Sequence, residues 1–245
     1  MAGGNWRGLE QATILLAQLD HKPATKRLPQ LLDFERPEVF VAAGWALRKL
    51  DVPETLPSAL NRIQSVRRTA ESRGNTPRPE GIYEAWDQQV SHLAQFIGQR
   101  HYQPAESALR AFVPRSPQGE IIGQESRAAS IWSLGLILEG KTDKGLVKQL
   151  EQRLNDIPRM MDPGEDPRVR RMSAITLGRM KSKDSLQSLR RYFMTKPTLD
   201  RVSPACGWAI AQNTGEPLPP AGTMEFPGGI FKNWLRALPE PKSKG

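Results

Sequence analysis

Three histidines and one cysteine are the first side chains in this sequence that could do chemistry. His21, His92 and His101 could bind a metal or transfer protons, but the nine-residue interval between His92 and His101 matches no common metal-ligand spacing. We expect each histidine to lie at the surface or at a helix end. Cys206 stands beside Trp208 on a predicted apolar face, so we expect a buried small side chain rather than a nucleophile.

An acidic loop is the other candidate for chemistry, because carboxylates at Asp162, Glu165 and Asp166 could bind a cation. Asp166 comes immediately before Pro167 and a predicted helix, so helix capping explains it better. The sequence contains no GxSxG, GxGxxG or HExxH motif. We therefore expect no catalytic residue, no metal site and no cofactor, and interpret the protein as non-enzymatic.

Positive charge is the more informative feature of the composition. Lys and Arg total 35 against 26 Asp and Glu, which gives a net charge of +9. Residues 166–196 carry nine basic and two acidic side chains. A second basic group consists of Arg62, Arg67, Arg68, Arg73 and Arg78. Such a charge distribution predicts an acidic partner, either a protein surface or nucleic acid; the alternative is a solvated surface that only maintains solubility.

Three basic residues are the candidates for contact with that partner. Lys148 lies on a predicted helix with Leu146, Val147, Leu150 and Leu154, and Arg190 and Arg191 lie on one with Leu186, Leu189 and Phe193. All three, together with Arg153 on the first of these helices, fall mostly off the apolar stripes, so we expect them to be exposed. No small-molecule substrate is indicated.

The helices that position these residues recur along the chain. Residues 125–156 predict two helices joined by a short turn, and residues 166–194 repeat the plan, with Leu177-Gly178 following Leu134-Gly135 by 43 residues. Residues 37–63 give a third copy, and weaker copies occur at 6–19 and 203–211. Because one such pair cannot bury its own apolar faces, the copies must stack on one another.

Aligning the five copies reveals a repeated large side chain. The alignment positions are Leu16, Leu47, Leu134, Leu177 and Ile210, and two residues earlier stand Ile14, Trp45, Trp132, Ile175 and Trp208. We interpret this as one packing position used five times. Trp132 is accordingly expected to be buried between consecutive helix pairs.

The best copy resembles a known repeat. The residues Asp166-Pro167-x-Val169-Arg170, followed by Ala174 and Leu177-Gly178, resemble the first helix of a HEAT repeat, in the variety seen in bacterial HEAT-like proteins. Arg127 occupies the position of Arg170 in the neighbouring copy, whereas Phe40 replaces it in the copy at Pro37. A continuous row of arginines at this position is therefore interrupted in the copy at Pro37.

The resemblance implies an all-α, HEAT-like α-solenoid of about five to six helix pairs, in which second helices line the concave face. It also implies a scaffold that mediates protein–protein interaction, here with an acidic partner. The alternative is a HEAT-like nucleic-acid-binding protein resembling the alkylpurine DNA glycosylases. We find no Trp–Asp pair on the second helices that would correspond to their catalytic groove.

The predicted domain organisation is a repeat array over 1–212 followed by a Pro/Gly-rich tail over 213–245. Within the array, residues 69–81 predict a loop, 82–99 a helix and 105–113 a shorter helix. In the tail, Phe226, Phe231 and Trp234 are expected to cap the end of the array.

The remaining sequence features concern compartment. One cysteine allows no intrachain disulfide, and the longest apolar run, 131–138, is far too short to span a membrane. The N-terminal residues lack the pattern of a secretory signal, so we expect a cytoplasmic protein that does not enter the membrane. The alternative is a terminal segment of a larger secreted or membrane-tethered protein.

Overall fold

The fold is all-α throughout the residues that our computed structural model describes, which are 5–73, 81–115, 122–160, 162–194 and 201–217. In those ranges the only β-type pairing is an isolated bridge between Arg159 and Asp162. The α-helices are α1 (Trp6–Gln18), α2 (Leu28–Leu31), α3 (Pro37–Leu50), α4 (Leu56–Arg73), α5 (Ile82–Gln99), α6 (Glu106–Arg110), α7 (Gln124–Ile137), α8 (Lys144–Asn155), α9 (Pro167–Arg179), α10 (Leu186–Tyr192) and α11 (Val202–Thr214).

Two compact units, Met1–Ser133 and Leu134–Gly245, divide the chain within α7. In the first unit α3 packs against α1 and α5, while α2 packs on α3 and α4 packs on α5 and α6. In the second unit α9 packs against α8 and α11, and α10 packs on α8 and α11. We call the odd-numbered helices first helices and the even-numbered ones second helices.

Capping residues set where several helices begin. The side chains of Asn5, Asp143 and Asp166 accept hydrogen bonds from backbone N–H groups in the first turns of α1, α8 and α9, at 2.8–2.9 Å. Helix α7 is capped from α5 instead. There the buried carboxylate of Asp87 accepts from the backbone N–H groups of Glu125 and Ser126 at 3.0 and 2.8 Å.

Every first helix is followed by a turn containing a residue with positive φ. These residues are Asp20, Asp51, His101, Gly140, Lys181 and Gly215, with φ between 48° and 78°. After Asp20, Asp51, His101 and Lys181, a short 3-10 helix begins two residues later. The repeat is therefore visible in backbone conformation, and α5 belongs to it as a sixth first helix.

The turns also join one first helix to the next. The ammonium of Lys22 donates to the carbonyl of Leu50, and the guanidinium of Arg100 donates to the carboxylate of Asp51 at 2.6 Å. In the second unit the N–H of Gly140 donates to Arg179 O at 2.9 Å, and Lys181 donates to Gln212 O at 2.6 Å. Side chains at two positive-φ positions, Asp51 and Lys181, thus contribute contacts that glycine could not make.

Glycines allow consecutive first helices to approach closely. A Cβ atom added to Gly98 would lie 2.8 Å from Cα of Ser133, and one added to Gly178 would lie 2.8 Å from Cα of Ala209. A Cβ on Gly135 would meet the Oγ1 of Thr176 at 2.7 Å. The repeated Leu-Gly pair in the sequence is explained by this approach, since any side chain would separate the helices.

The repeated large side chain does not occupy one environment. Ile175 and Trp208 are buried, whereas Ile14, Trp45 and Trp132 are only half-buried. The prediction that Trp132 is buried is therefore wrong. The alignment recognised a common place on the helix but not how completely neighbouring elements cover it.

Several predicted boundaries also change. Helix α5 has the predicted limits, but α4 continues to Arg73, so residues 69–73 are helical where a loop was expected. The apolar residues Leu28, Leu31 and Leu32 predict a partner helix over 24–33, but the structure has a 3-10 helix at Lys22–Lys26 and the four-residue α2. Helix α11 extends to Thr214, past the predicted domain boundary. The apolar tail residues Phe226, Phe231 and Trp234 lie outside the described residues.

We expect Gly178→Ala to lower the free energy of unfolding by about 1–3 kcal/mol, because the new methyl group overpacks against the backbone of Ala209. The matched control is Gly145→Ala in α8, where the Cβ meets nothing closer than 3.4 Å. Helix propensity should leave that variant unchanged or more stable by up to about 1 kcal/mol. Urea unfolding of both variants measures the difference, and equal stabilities would contradict the close approach.

Candidate functional site

The predicted partner-binding residues are all exposed and lie on two neighbouring helices. Lys148 is on α8, and Arg190 and Arg191 are on α10. The two helices are joined by a hydrogen bond from Ser188 Oγ to Glu151 Oε1 at 2.9 Å. The structure thus brings the three predicted residues to one helix pair of the second unit.

The exposed charges on this helix pair are all positive. The exposed side chains are those of Lys144, Lys148, Arg190 and Arg191. Glu151 is half-buried and accepts a hydrogen bond from the Ser188 hydroxyl. We call these four cations the α8–α10 basic surface. An anion that approaches α8 and α10 therefore meets cations before it meets the one carboxylate on these helices.

Two arginines of this surface have neighbours of their own. Arg190 lies 3.3 Å from the carboxylate of Glu216, and both side chains are about 60% exposed, so the pair contributes little to stability. The guanidinium of Arg191 lies 5.8 Å from the ring centroid of Tyr192. That contact restricts the Arg191 side chain while leaving it exposed to a ligand.

Much of the positive charge predicted for residues 166–196 is internal. Arg170 and Arg171 are buried, and Arg168 pairs with Asp166 at 2.9 Å. Burial lowers the pKa of Arg179 to about 10, with Glu139 acting in the opposite direction. The sequence therefore overestimated the basic surface, because a count of charges does not distinguish solvated from buried arginines.

Two arginines of the second predicted basic group also form ion pairs within the protein. Arg62 pairs with Asp33 and donates from Nε to Gln89 Oε1 at 2.8 Å. Arg67 pairs with Glu71 at 2.6 Å, whereas Arg68 is exposed. The Arg73 side chain and Arg78 lie outside the described part of the structure.

The repeated arginine has a structural role in both copies that contain it. Arg127 Nη1 donates to Ile122 O at 2.9 Å, and Arg170 Nε donates to Leu154 O at 2.9 Å. Both side chains are more than 90% buried. Each holds the segment that precedes its own helix, so neither is available to a partner.

The acidic loop is likewise structural. Glu165 forms an ion pair with Arg153 in which both side chains are 2% exposed, and Asp166 caps α9. Within the described residues no cluster of His, Cys, Asp and Glu has the arrangement of a metal site. Capping, as predicted, accounts for Asp166. The buried pair was not predicted, because Arg153 lies on the second helix that we expected to expose its basic residues.

His92 is the clearest error among the candidate residues. It lies in the middle of α5 rather than at a helix end, its side chain is half-buried, and its Nδ1 is buried with no hydrogen-bond partner. Burial, and secondarily the positive charge of Arg48, lower the pKa of His92 to about 4. The i, i+4 spacing of apolar residues around position 92 could have placed it near the core edge. Cys206 is buried, as predicted.

The sequence matches no protein-family model and none of the curated proteins. No helix in the described ranges is long and apolar enough to cross a membrane.

Because the pKa of His92 is lowered in the folded protein, the free energy of unfolding should depend on pH. Between about pH 6.5 and 4 the unfolded chain binds a proton at this residue and the folded chain does not, so stability decreases as pH falls. We expect wild type to lose up to about 3 kcal/mol more over this window than His92→Gln, at 1.36 kcal/mol for each pKa unit. Urea unfolding across the pH range measures this, and parallel curves would contradict a folded state in which His92 stays neutral.

The buried Arg153–Glu165 pair predicts a second outcome. Arg153→Met should lower the free energy of unfolding by about 3–5 kcal/mol, because it leaves a buried carboxylate without its cation. Arg153→Met with Glu165→Gln should recover part of that loss. The exposed Arg190→Met is the control and should change stability by less than about 0.5 kcal/mol. If Arg153→Met unfolds like this control, the pair is solvated.

Proposed function

We propose that the protein is a non-enzymatic, HEAT-like helical-repeat scaffold that binds an acidic protein partner through the α8–α10 basic surface. The observation that carries this proposal is the exposure of four cations on adjacent second helices, while their one carboxylate is half-buried and hydrogen-bonded. In HEAT proteins, which the sequence resembles, second helices line the ligand-binding face. The proposal requires neither catalytic residues nor a cofactor.

The repeat itself supports the HEAT-like part of the proposal. Six first helices are each followed by a positive-φ turn, and the turns connect neighbouring copies through hydrogen bonds such as Gly140 N to Arg179 O. Each second helix packs on the following first helix in the cases α2–α3, α4–α5, α8–α9 and α10–α11. Repetition of one helix pair with contacts between neighbours is the basis of solenoid architecture. We accordingly propose a solenoid.

Nucleic acid is the second candidate ligand, because the same four cations would also attract phosphates. The two ligands differ in how binding responds to salt. For nucleic acid, the logarithm of affinity should decrease linearly with log salt, by roughly 0.7–0.9 for each phosphate contact. A resemblance to DNA glycosylases would require such binding.

We expect Arg190→Glu with Arg191→Glu to weaken binding of an oligoglutamate peptide by about tenfold at low salt, since two attractions become repulsions. The loss should shrink as salt rises toward physiological strength, where the Debye length is about 8 Å. The matched control, Lys141→Glu with Lys183→Glu, changes the net charge equally at exposed positions outside α8 and α10.

Fluorescence anisotropy with labelled oligoglutamate, a short DNA duplex and a single-stranded RNA provides the measurement. Equal loss of oligoglutamate binding in the two double variants would refute the α8–α10 basic surface. Tighter binding of either nucleic acid than of oligoglutamate, abolished only by the Arg190/Arg191 variant, would replace the acidic protein with nucleic acid.

A further inference from the structure

A groove of about 690 Å³ crosses α1, α3 and α5 in the first unit. Its apolar lining includes Ile14 of α1 together with Val41 and Trp45 of α3, and all three side chains are half-buried. The volume is within the range of about 300–1,000 Å³ that is typical of ligand sites. An indole that remains partly exposed in a groove of this size offers a contact surface to a ligand.

The carboxylates that line the groove give it a negative charge, in contrast with the net charge of the chain. Glu10, Glu38 and Glu84 line it, one from each helix, and no lysine or arginine does. Among the described residues, none of these three carboxylates forms an ion pair or accepts a hydrogen bond. They are therefore available to a cation from outside.

Three arginines on or next to the helices that form the groove contact other groups. The guanidinium groups of Arg7 and Arg36 lie 4.5 and 5.6 Å from the ring centroid of Trp6. Arg48 donates to the side-chain carbonyl of Gln95. The acidic character of the groove is thus not cancelled by these arginines through direct pairing.

Helix stability explains only part of this arrangement. Glu38 and Glu84 lie in the first turns of α3 and α5, where a negative charge is favourable. Glu10, however, lies beyond the first turn of α1. Favourable helix ends also give no reason for a partly exposed Trp45 beside them, nor for the unpaired Nδ1 of His92 in the same lining.

We propose that this groove binds an extended basic peptide segment, with a Lys or Arg side chain at the glutamates and a large apolar side chain on Trp45. Charge complementarity selects a cationic ligand, and the apolar lining selects one that also carries an apolar group. This site is separate from the α8–α10 basic surface, and it does not depend on what that surface binds.

The dimensions of α3 define the peptide pattern. Glu38 and Trp45 are seven residues apart on one face of α3, which corresponds to about 10 Å along the helix. Positions i and i+2 of an extended chain are about 6.6 Å apart, at roughly 3.3 Å for each residue, and the long Lys side chain reaches over the remaining distance. Side chains at positions i and i+2 of an extended peptide lie on the same face. The ligand should therefore carry its cation and its apolar residue two positions apart.

Two labelled peptides of identical composition test this pattern against wild-type protein. The repeated unit Lys-Ser-Leu-Ser places Lys and Leu on the same face of an extended chain, whereas Lys-Leu-Ser-Ser places them on opposite faces. We expect the first to bind at least about fivefold more tightly, by anisotropy at low salt. A third peptide, with the unit Glu-Ser-Leu-Ser, should not bind in the groove.

Variants then locate the binding. Glu38→Gln with Glu84→Gln should weaken binding of the Lys-Ser-Leu-Ser peptide by about three- to tenfold, since two exposed carboxylates that attract its lysines are lost. The control, Glu54→Gln with Asp184→Asn, removes two exposed carboxylates outside the groove and should have little effect. Trp45→Leu should reduce the preference between the two isomeric peptides.

Three results would overturn the proposal. Equal affinity of the two isomers for wild type would show attraction to net charge rather than to a shaped groove; this comparison needs no variant to fold. Equal weakening by the groove and control variants would place the peptide elsewhere. Sedimentation of wild type as a dimer that Glu38→Gln with Glu84→Gln converts to a monomer would make the occupant a second copy of this chain.

Discussion

Close approach between consecutive first helices is the constraint on which the rest of the structure depends. Gly98 and Gly178 face the backbone of Ser133 and Ala209 at distances that exclude a side chain, and Gly135 faces Thr176. At such separations the neighbouring helices are in van der Waals contact at these glycines, which brings their apolar faces together. This approach also places the turns. Each first helix ends where its turn can form hydrogen bonds with the neighbouring first helix or its turn.

Burial of arginine determines the distribution of charge on the protein. Arg153 is neutralised by Glu165, and Arg127 and Arg170 donate to backbone carbonyls. These cations contribute to the net charge of +9 but have little contact with solvent. What solvent meets is local: a positive surface on α8 and α10, and a groove lined by glutamates on α1, α3 and α5. Recognition between proteins depends on such local surfaces, so the overall charge alone is a poor guide to the chemistry of a partner.

The sequence predicted features that depend on local residue pattern. The limits of α5, the capping by Asp166 and the repeated Leu-Gly pair all follow from residues near one another in the chain. It could not predict the capping of α7 by Asp87, which lies about 40 residues away. Nor could it predict positive φ at Asp51, His101 and Lys181, because no residue type there requires that conformation. His92 and Trp132 were misjudged for a related reason: burial depends on how helices from several copies cover each position.

The hydrogen bonds between turns also bear on how the chain emerges from the ribosome. Lys22 reaches Leu50, Arg100 reaches Asp51 and Lys181 reaches Gln212, so each bond joins residues about 30–50 positions apart. A newly synthesised first helix therefore finds its docking surface already complete in the helix pair made just before it. Growth of the fold can keep pace with translation, from the N-terminus onward, without waiting for distant segments. Apolar faces would then be exposed only on the most recent copy, which limits the time available for aggregation during synthesis.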